Sequence, residues 1–213
     1  MKLTRLFAAA ILAAAFTAGS IAQAKPVTWD IDPAHSAVTF SIRHIFAKVP
    51  GTFDKISGSV VYDPENVGGS STQVEIQAAS INTKNDRRDN HLRSADFFET
   101  EKYPTITFRS TAVKDLGGGK HELTGDLTMH GVTKPVTLAV TFLGAGPGMG
   151  DRQVAGFEAA GTVNRKDFGI LWNKPLDQGG LLLGDDVAIT ITVEANERQE
   201  DPAAGKAEKS EKK

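Results

Sequence analysis

VAITITVE, residues 187–194, sets Val187, Ile189, Ile191 and Val193 against Ala188, Thr190, Thr192 and Glu194. Successive side chains of an extended strand point to opposite faces. A strict period of two therefore marks a strand with one apolar and one wet face. The same period recurs outward from this stretch. Val38, Phe40 and Ile42 alternate with Thr39, Ser41 and Arg43, and Val136, Leu138, Val140 and Phe142 alternate with Thr137, Ala139 and Thr141. Weaker versions cover 56–62, 73–79, 105–113, 121–129 and 154–163. Turn chemistry separates them: Asp63-Pro64-Glu65-Asn66, Gly117-Gly118-Gly119, Gly131, and the run from Gly144 to Gly148. Short connections favour antiparallel neighbours, because parallel ones need long crossovers. About eight or nine such strands form a meander that closes into a barrel or splits into a sandwich.

Composition narrows the function. The chain has 213 residues, 24 Lys+Arg against 26 Asp+Glu, a net charge of −2 and no cysteine. That balance argues against a nucleic-acid partner. The missing thiols exclude a disulfide framework, a thiolate metal site, a cysteine nucleophile and a cysteine-linked lipid anchor. Lys2 and Arg5 precede an apolar run over 6–18 and the small-x-small sequence Ala22-Gln23-Ala24. This pattern predicts that 1–24 is a cleaved signal peptide and that the mature protein is exported. From Asn196 onward no large apolar residue occurs. Residues 196–213 are therefore expected to be a disordered, charge-balanced tail, leaving 25–195 as one domain.

Two segments break the period. NDRRDNHLRS, 85–94, predicts a short helix or structured loop beside Phe97 and Phe98, and 165–183 predicts an irregular closure of a barrel end. No phosphate loop, hydrolase elbow, zinc motif or calcium loop is present, and no histidines lie at ligand spacing, so neither metal nor cofactor is expected. His35 and Ser36, if on a strand, point to opposite faces. His121 and His130 read as exposed turn residues. Strand phase alone places Phe40, Ile42, Val74, Ile76, Ile106, Phe108, Leu127, Met129, Leu138, Val140, Ile189 and Ile191 inside. It leaves open whether they fill the interior or line a hollow.

WDIDPAHSAVTFSIRH (29–44), RDNHLRSADFF (88–98), YPTITF (103–108), GDLTMHGVTKPVTL (125–138), RKDFGILWN (165–173) and GDDVAITITVEA (184–195) occur in this order. Together they resemble the YceI-like, lipocalin-like family of periplasmic polyisoprenoid-binding proteins. The resemblance implies an all-β, antiparallel up-and-down barrel with short helical or irregular insertions. It also implies a periplasmic, non-enzymatic carrier of a long isoprenoid such as a quinone or prenyl phosphate. The expected ligand-binding wall is Phe40, Ile42, Phe53, Ile76, Phe97, Phe98, Ile106 and Phe108, continued by Met129, Leu138, Val140, Phe168 and Trp172. His44, Arg88 and His91, with Arg87 nearby, are the donors suited to a headgroup. On the structural alternative, Arg88 pairs with Asp89 and His91 caps a turn. Two further readings stand beside the carrier. One is an enzyme acting on an amphiphile with His44, Arg88, Asp89 and His91, and the other a filled, stress-related structural barrel. Transient membrane contact and pairing of two chains through an uncovered strand edge complete the expected partners.

Overall fold

The computed structural model describes residues 25–199. The expected signal peptide, 1–24, and residues 200–213 of the expected tail lie outside the described residues. The alternating stretches form β1 (Val27–Ile31), β2 (Ala37–His44), β3 (Ala47–Phe53), β4 (Ile56–Tyr62), β5 (Ser71–Gln77) and β6 (Ile81–Asn82). After helix α1 (Asp86–Arg93) follow β7 (Thr105–Gly117), β8 (Lys120–Met129), β9 (Val132–Pro147), β10 (Gln153–Asn164) and β11 (Leu183–Glu197).

These eleven segments build eight long strands, three of them broken. β1 and β2 lie in line along β11, with the register slipping between Ile31↔Ala195 and Ala37↔Thr192. β3 and β4 run in line against β2 and β1, and β5 and β6 against β4 and β3. β7 to β11 then follow as successive neighbours, and β1 closes on β11. Every pairing is antiparallel, giving an up-and-down barrel whose hydrogen-bonded wall returns on itself.

Local chemistry explains the breaks and turns. Asp32 accepts from the Ala34 N–H (2.8 Å), and Ser36 Oγ donates to the Glu194 carbonyl (3.1 Å), holding the break between β1 and β2 against β11. His35 and Ser36 thus sit in a turn rather than on a strand, and His35 donates to Asp32 at 3.1 Å. His130 and Gly131 (φ 52° and 75°) make the two-residue hairpin between β8 and β9, whose twist matches the flanking strands. The β2–β3 hairpin instead places Ile45 at φ 51°, a strained conformation for a β-branched residue.

Three expectations need correction. His121 is not in an exposed turn. It is 5% exposed, because β8 begins one residue earlier and turns it inward. His130 is half-buried, with Nδ1–H donating to the Phe168 carbonyl at 3.1 Å. The fold also does not stop at Ala195. Asn196 and Glu197 pair with Asp30 and Trp29, the Arg198 N–H donates to the Thr28 carbonyl (2.8 Å), and its guanidinium pairs with Asp30. Strand pairing extends the last strand although its residues are polar.

Two apolar clusters pack toward the barrel's ends. The larger joins Phe53, Ile81, Phe97, Met129, Phe168 and Ile170 beneath α1 and the 165–183 segment. The smaller joins Trp29, Ala155, Phe157 and Ala195. Between them the lumen stays open.

Candidate functional site

The lumen encloses a cavity of about 500 Å³, within the ~300–1,000 Å³ range of small-molecule sites. Its wall comes from the inward phase of the strands. His121 and Met129, eight residues apart on β8, both face it. At about 3.3 Å per residue it spans roughly 26 Å measured along that strand. All the expected wall residues except Phe168 line it, as do Val74, Leu127, Ile189 and Ile191. Phe168 lies behind the wall, fully buried, where the 165–168 turn packs it into the larger cluster. Arg87 is exposed and off the wall.

The hollow has a local cause. The Phe40 ring lies over Gly51, Phe108 over Gly125 and Leu138 over Gly161, each glycine on the neighbouring strand and each with no room for a Cβ. These large side chains lie along the wall instead of crossing the lumen. The sequence alternation shows an apolar inner face but not this folding-back, so it left filled and hollow interiors equivalent.

One end of the cavity is dressed by α1 and the 165–183 segment. Asn85 caps α1 by accepting the Arg88 N–H at 3.0 Å, satisfying a donor that a helix start leaves free. Arg88 and Asp89 do not pair with each other; they meet on Thr83. Arg88 donates to the Thr83 hydroxyl (2.7 Å) and carbonyl (2.8 Å), while buried Asp89 accepts the Thr83 N–H (2.9 Å) and hydroxyl (2.5 Å). Arg93 fastens the helix from its other end, donating to the carbonyls of Ala79 and Ile81, both at 2.8 Å. His91 donates to Asp96 at 2.8 Å, with its ring edge-on to Phe97 and Trp172. Phe53 bridges Phe40 and Phe98, with ring centroids 5.6 and 5.7 Å away.

Arg165 anchors the irregular segment, a role sequence did not signal. It is 3% exposed and donates to the carbonyls of Ile170 (2.8 Å), Trp172 (2.8 Å) and Gly184 (2.9 Å) and to Asp185 (3.2 Å). Burial pushes its pKa down, and Asp185 opposes that shift. The Asp185 carboxyl is held below its ordinary value by Lys166 and then by Arg165. The four side chains of the enzyme reading are not one hydrogen-bonded set: Arg88 and Asp89 hold Thr83, and His91 holds Asp96.

The opposite end carries a polar pair that sequence reading missed. Tyr62 Oη lies 3.5 Å from His121 Nε2, a long contact, and both residues line the cavity. Burial, then the Asp115 charge, pushes the Tyr62 pKa up. The signal was available: Ile56 and Val60 put Tyr62 in the inward phase, and Leu123 and Leu127 do the same for His121. Outside the barrel, Asp32, His35 and Glu194 bring potential ligand atoms within 4.8 Å of one another. Hydrogen bonding to Asp32, reinforced by the charges of Asp32 and Glu194, raises the His35 pKa.

A family model described as a YceI-like domain matches residues 29–195. "Protein YceI" of Escherichia coli O6:H1 is 43% identical over 156 residues, covering 73% of this chain and 81% of that protein. The crystal structure of Burkholderia cenocepacia BcnA superposes with a TM-score of 0.69 at 27% identity, covering 78% of this chain and 99% of that one. A structure described as a polyisoprenoid binding domain from Saccharophagus degradans superposes with a TM-score of 0.56 at 17% identity, covering 82% of this chain and all of its own, a likeness of fold.

Proposed function

This chain belongs to the YceI-like family, and from that premise we propose that it is an exported, periplasmic, non-enzymatic carrier of a long isoprenoid lipid held in the barrel lumen. The observation that carries this reading is the cavity: long, continuous and walled almost wholly by aliphatic and aromatic side chains. A filled barrel would not leave such a space, and an enzyme would need a set of converging reactive groups there. The fold likeness to a domain described as polyisoprenoid-binding supports the ligand class.

Each CH₂ removed from water gains about 0.8 kcal/mol, so a long prenyl chain gains much from entering the lumen. That chain is already dry in a bilayer, so the barrel has only to match the bilayer's environment to load and unload. The rim near α1 suits such an exchange. Phe46, 94% exposed, stands on the β2–β3 hairpin, the half-exposed Leu181 on the segment joined to that hairpin, and Leu171 is exposed on the same segment as Trp172. Backbone bonds from Ile45 to Leu182 (3.0 Å) and from Leu182 to Lys174 (2.9 Å) join these pieces. Arg43 and Lys48, directly cross-strand, and Lys174 add positive charge suited to anionic headgroups.

The test is mass spectrometry of an organic extract of protein purified from an exported preparation. The expected result is a stoichiometric isoprenoid. An empty extract, repeated after incubation with vesicles carrying quinone and prenyl phosphate, refutes the carrier.

A further inference from the structure

We propose that the Tyr62–His121 pair is the subsite for the ligand's polar head, and that this head is a neutral, planar, quinone-type ring rather than a phosphate. The inference rests on the carrier reading and adds the orientation and chemistry of what is carried.

Four observations carry it. First, His121 is 95% buried, yet its ring is underused. Among the described residues Nδ1 has no hydrogen-bond partner, although the Asp115 carboxylate lies 3.3 Å away, and Nε2 has only the long contact to Tyr62. Buried polar groups are normally satisfied; Nδ1 faces Asp115, so it is the loose Nε2–Tyr62 contact on the cavity wall that leaves a place for a ligand atom. The cluster beneath holds a second such group, the indole Nε1 of Trp29. Second, the surroundings fit a ring. Phe142 and Phe157 lie 4.5 and 5.9 Å from Tyr62, centroid to centroid, and 5.3 Å from each other. Offset and edge-on partners of this kind favour another planar π-system.

Third, the charge is wrong for a phosphate. The arginines lining the cavity, Arg88 and Arg165, belong to the other end. Phe157 and Arg165 are eight residues apart on and just beyond β10, about 26 Å of extended chain. The charged group in contact with His121 is the Asp115 carboxylate, 3.3 Å from Nδ1, while Lys114 and Lys120 stand on the outward phase of the same two strands. Fourth, Arg88 and Arg165 are already committed to Thr83 and to the carbonyls of the 165–184 segment. The Tyr62 hydroxyl donates to a quinone carbonyl or accepts from a quinol hydroxyl, with the imidazole beside it supplying the complementary role. Both oxidation states of one head therefore find partners, and the tail runs back along the apolar lumen toward Met129.

The test compares three probes by titration: a benzoquinone with a ten-carbon tail, farnesyl phosphate, and the headless hydrocarbon farnesene. Wild-type protein is expected to bind the quinone more tightly than farnesyl phosphate. Tyr62→Phe and His121→Leu should each weaken quinone binding about tenfold, the size of one good hydrogen bond, and leave farnesene binding within about twofold. Because either variant can disturb the fold, the ¹⁵N imidazole resonances of wild-type protein are recorded with and without quinone, and a shift confined to His121 is expected. The inference is overturned if both variants keep wild-type quinone affinity, if His121 does not shift, or if Arg88→Gln selectively weakens the quinone. Failure of the wild-type protein to bind any of the three probes refutes the carrier reading itself; binding of farnesene without a head preference refutes this inference alone.

Discussion

Replacing Arg165 by methionine keeps most of the apolar stem and removes the guanidinium. The structure sets the size of the effect. Three carbonyls, of Ile170, Trp172 and Gly184, lose donors at 2.8–2.9 Å. A buried acceptor left alone costs about 1–3 kcal/mol. Asp185 retains Lys166 at 2.8 Å, so its loss is small. Partial rehydration of the loosened segment recovers some of the cost, leaving about 4 kcal/mol. For a domain of this size that corresponds to a fall in Tm of about 8–16 °C. Urea unfolding followed by circular dichroism measures it, and amide exchange should rise selectively across 169–182. Arg165→Lys should recover less than half, because an ammonium cannot span three carbonyls set around a planar fork. A loss below about 1 kcal/mol for the methionine variant, or full rescue by lysine, refutes the anchoring argument.

Three further outcomes follow from particular residues. Gly161→Ala should push the Leu138 side chain into the lumen, costing about 1–3 kcal/mol and lowering the isoprenoid expected to co-purify; Gly161→Ala with Leu138→Ala should restore the lipid, and an unrestored double variant contradicts the folding-back account. The folded-state pKa of His35 is raised by Asp32, so its stabilising contribution is complete below the ordinary histidine value and fades as pH rises through the raised one. The stability difference between wild type and His35→Gln should accordingly be larger at pH 5.5 than at pH 8.5, and equal differences at the two pH values exclude this linkage. Ile45→Gly should relieve the left-handed strain but lose side-chain packing and gain unfolded-chain freedom, leaving stability within about 1 kcal/mol of wild type, while weakening adsorption to anionic vesicles; unchanged adsorption removes the hairpin from the proposed membrane-facing rim.

Much of the wall was legible because a strand's inner face is written every second residue. Phe40, Ile76, Ile106, Leu138 and Ile189 follow from phase alone. β3 was not legible. Its inward slot at Gly51 is emptied to admit the Phe40 ring, and Pro50 sits beside it, so the apolar period vanishes where packing is closest. His121 was misread because its neighbours are turn glycines, yet a strand needs only one residue, Lys120, before it begins. Arg165 and Asp89 lay beyond pattern reading: a buried charge is explained by the carbonyls and hydroxyl around it, which only the fold assembles. The polar continuation through Glu197 escaped for a related reason, since β1 supplies its ladder partners.

The three broken strands are neighbours. Their interruptions at 32–36, 54–55 and 78–80 lie side by side, the last two tied by the Asp54 N–H donating to the Ser80 carbonyl (3.1 Å) and the Gln77 N–H to the Lys55 carbonyl (3.0 Å). The strands β7 to β11 cross the same level without a break of this kind. The barrel is therefore mechanically two-sided: a stiff shell over most of its circumference and a crease along one flank. Deformation concentrates where ladder bonds are fewest. Any change in the girth of the lumen is therefore expected along that crease, with the β7–β11 wall keeping its form.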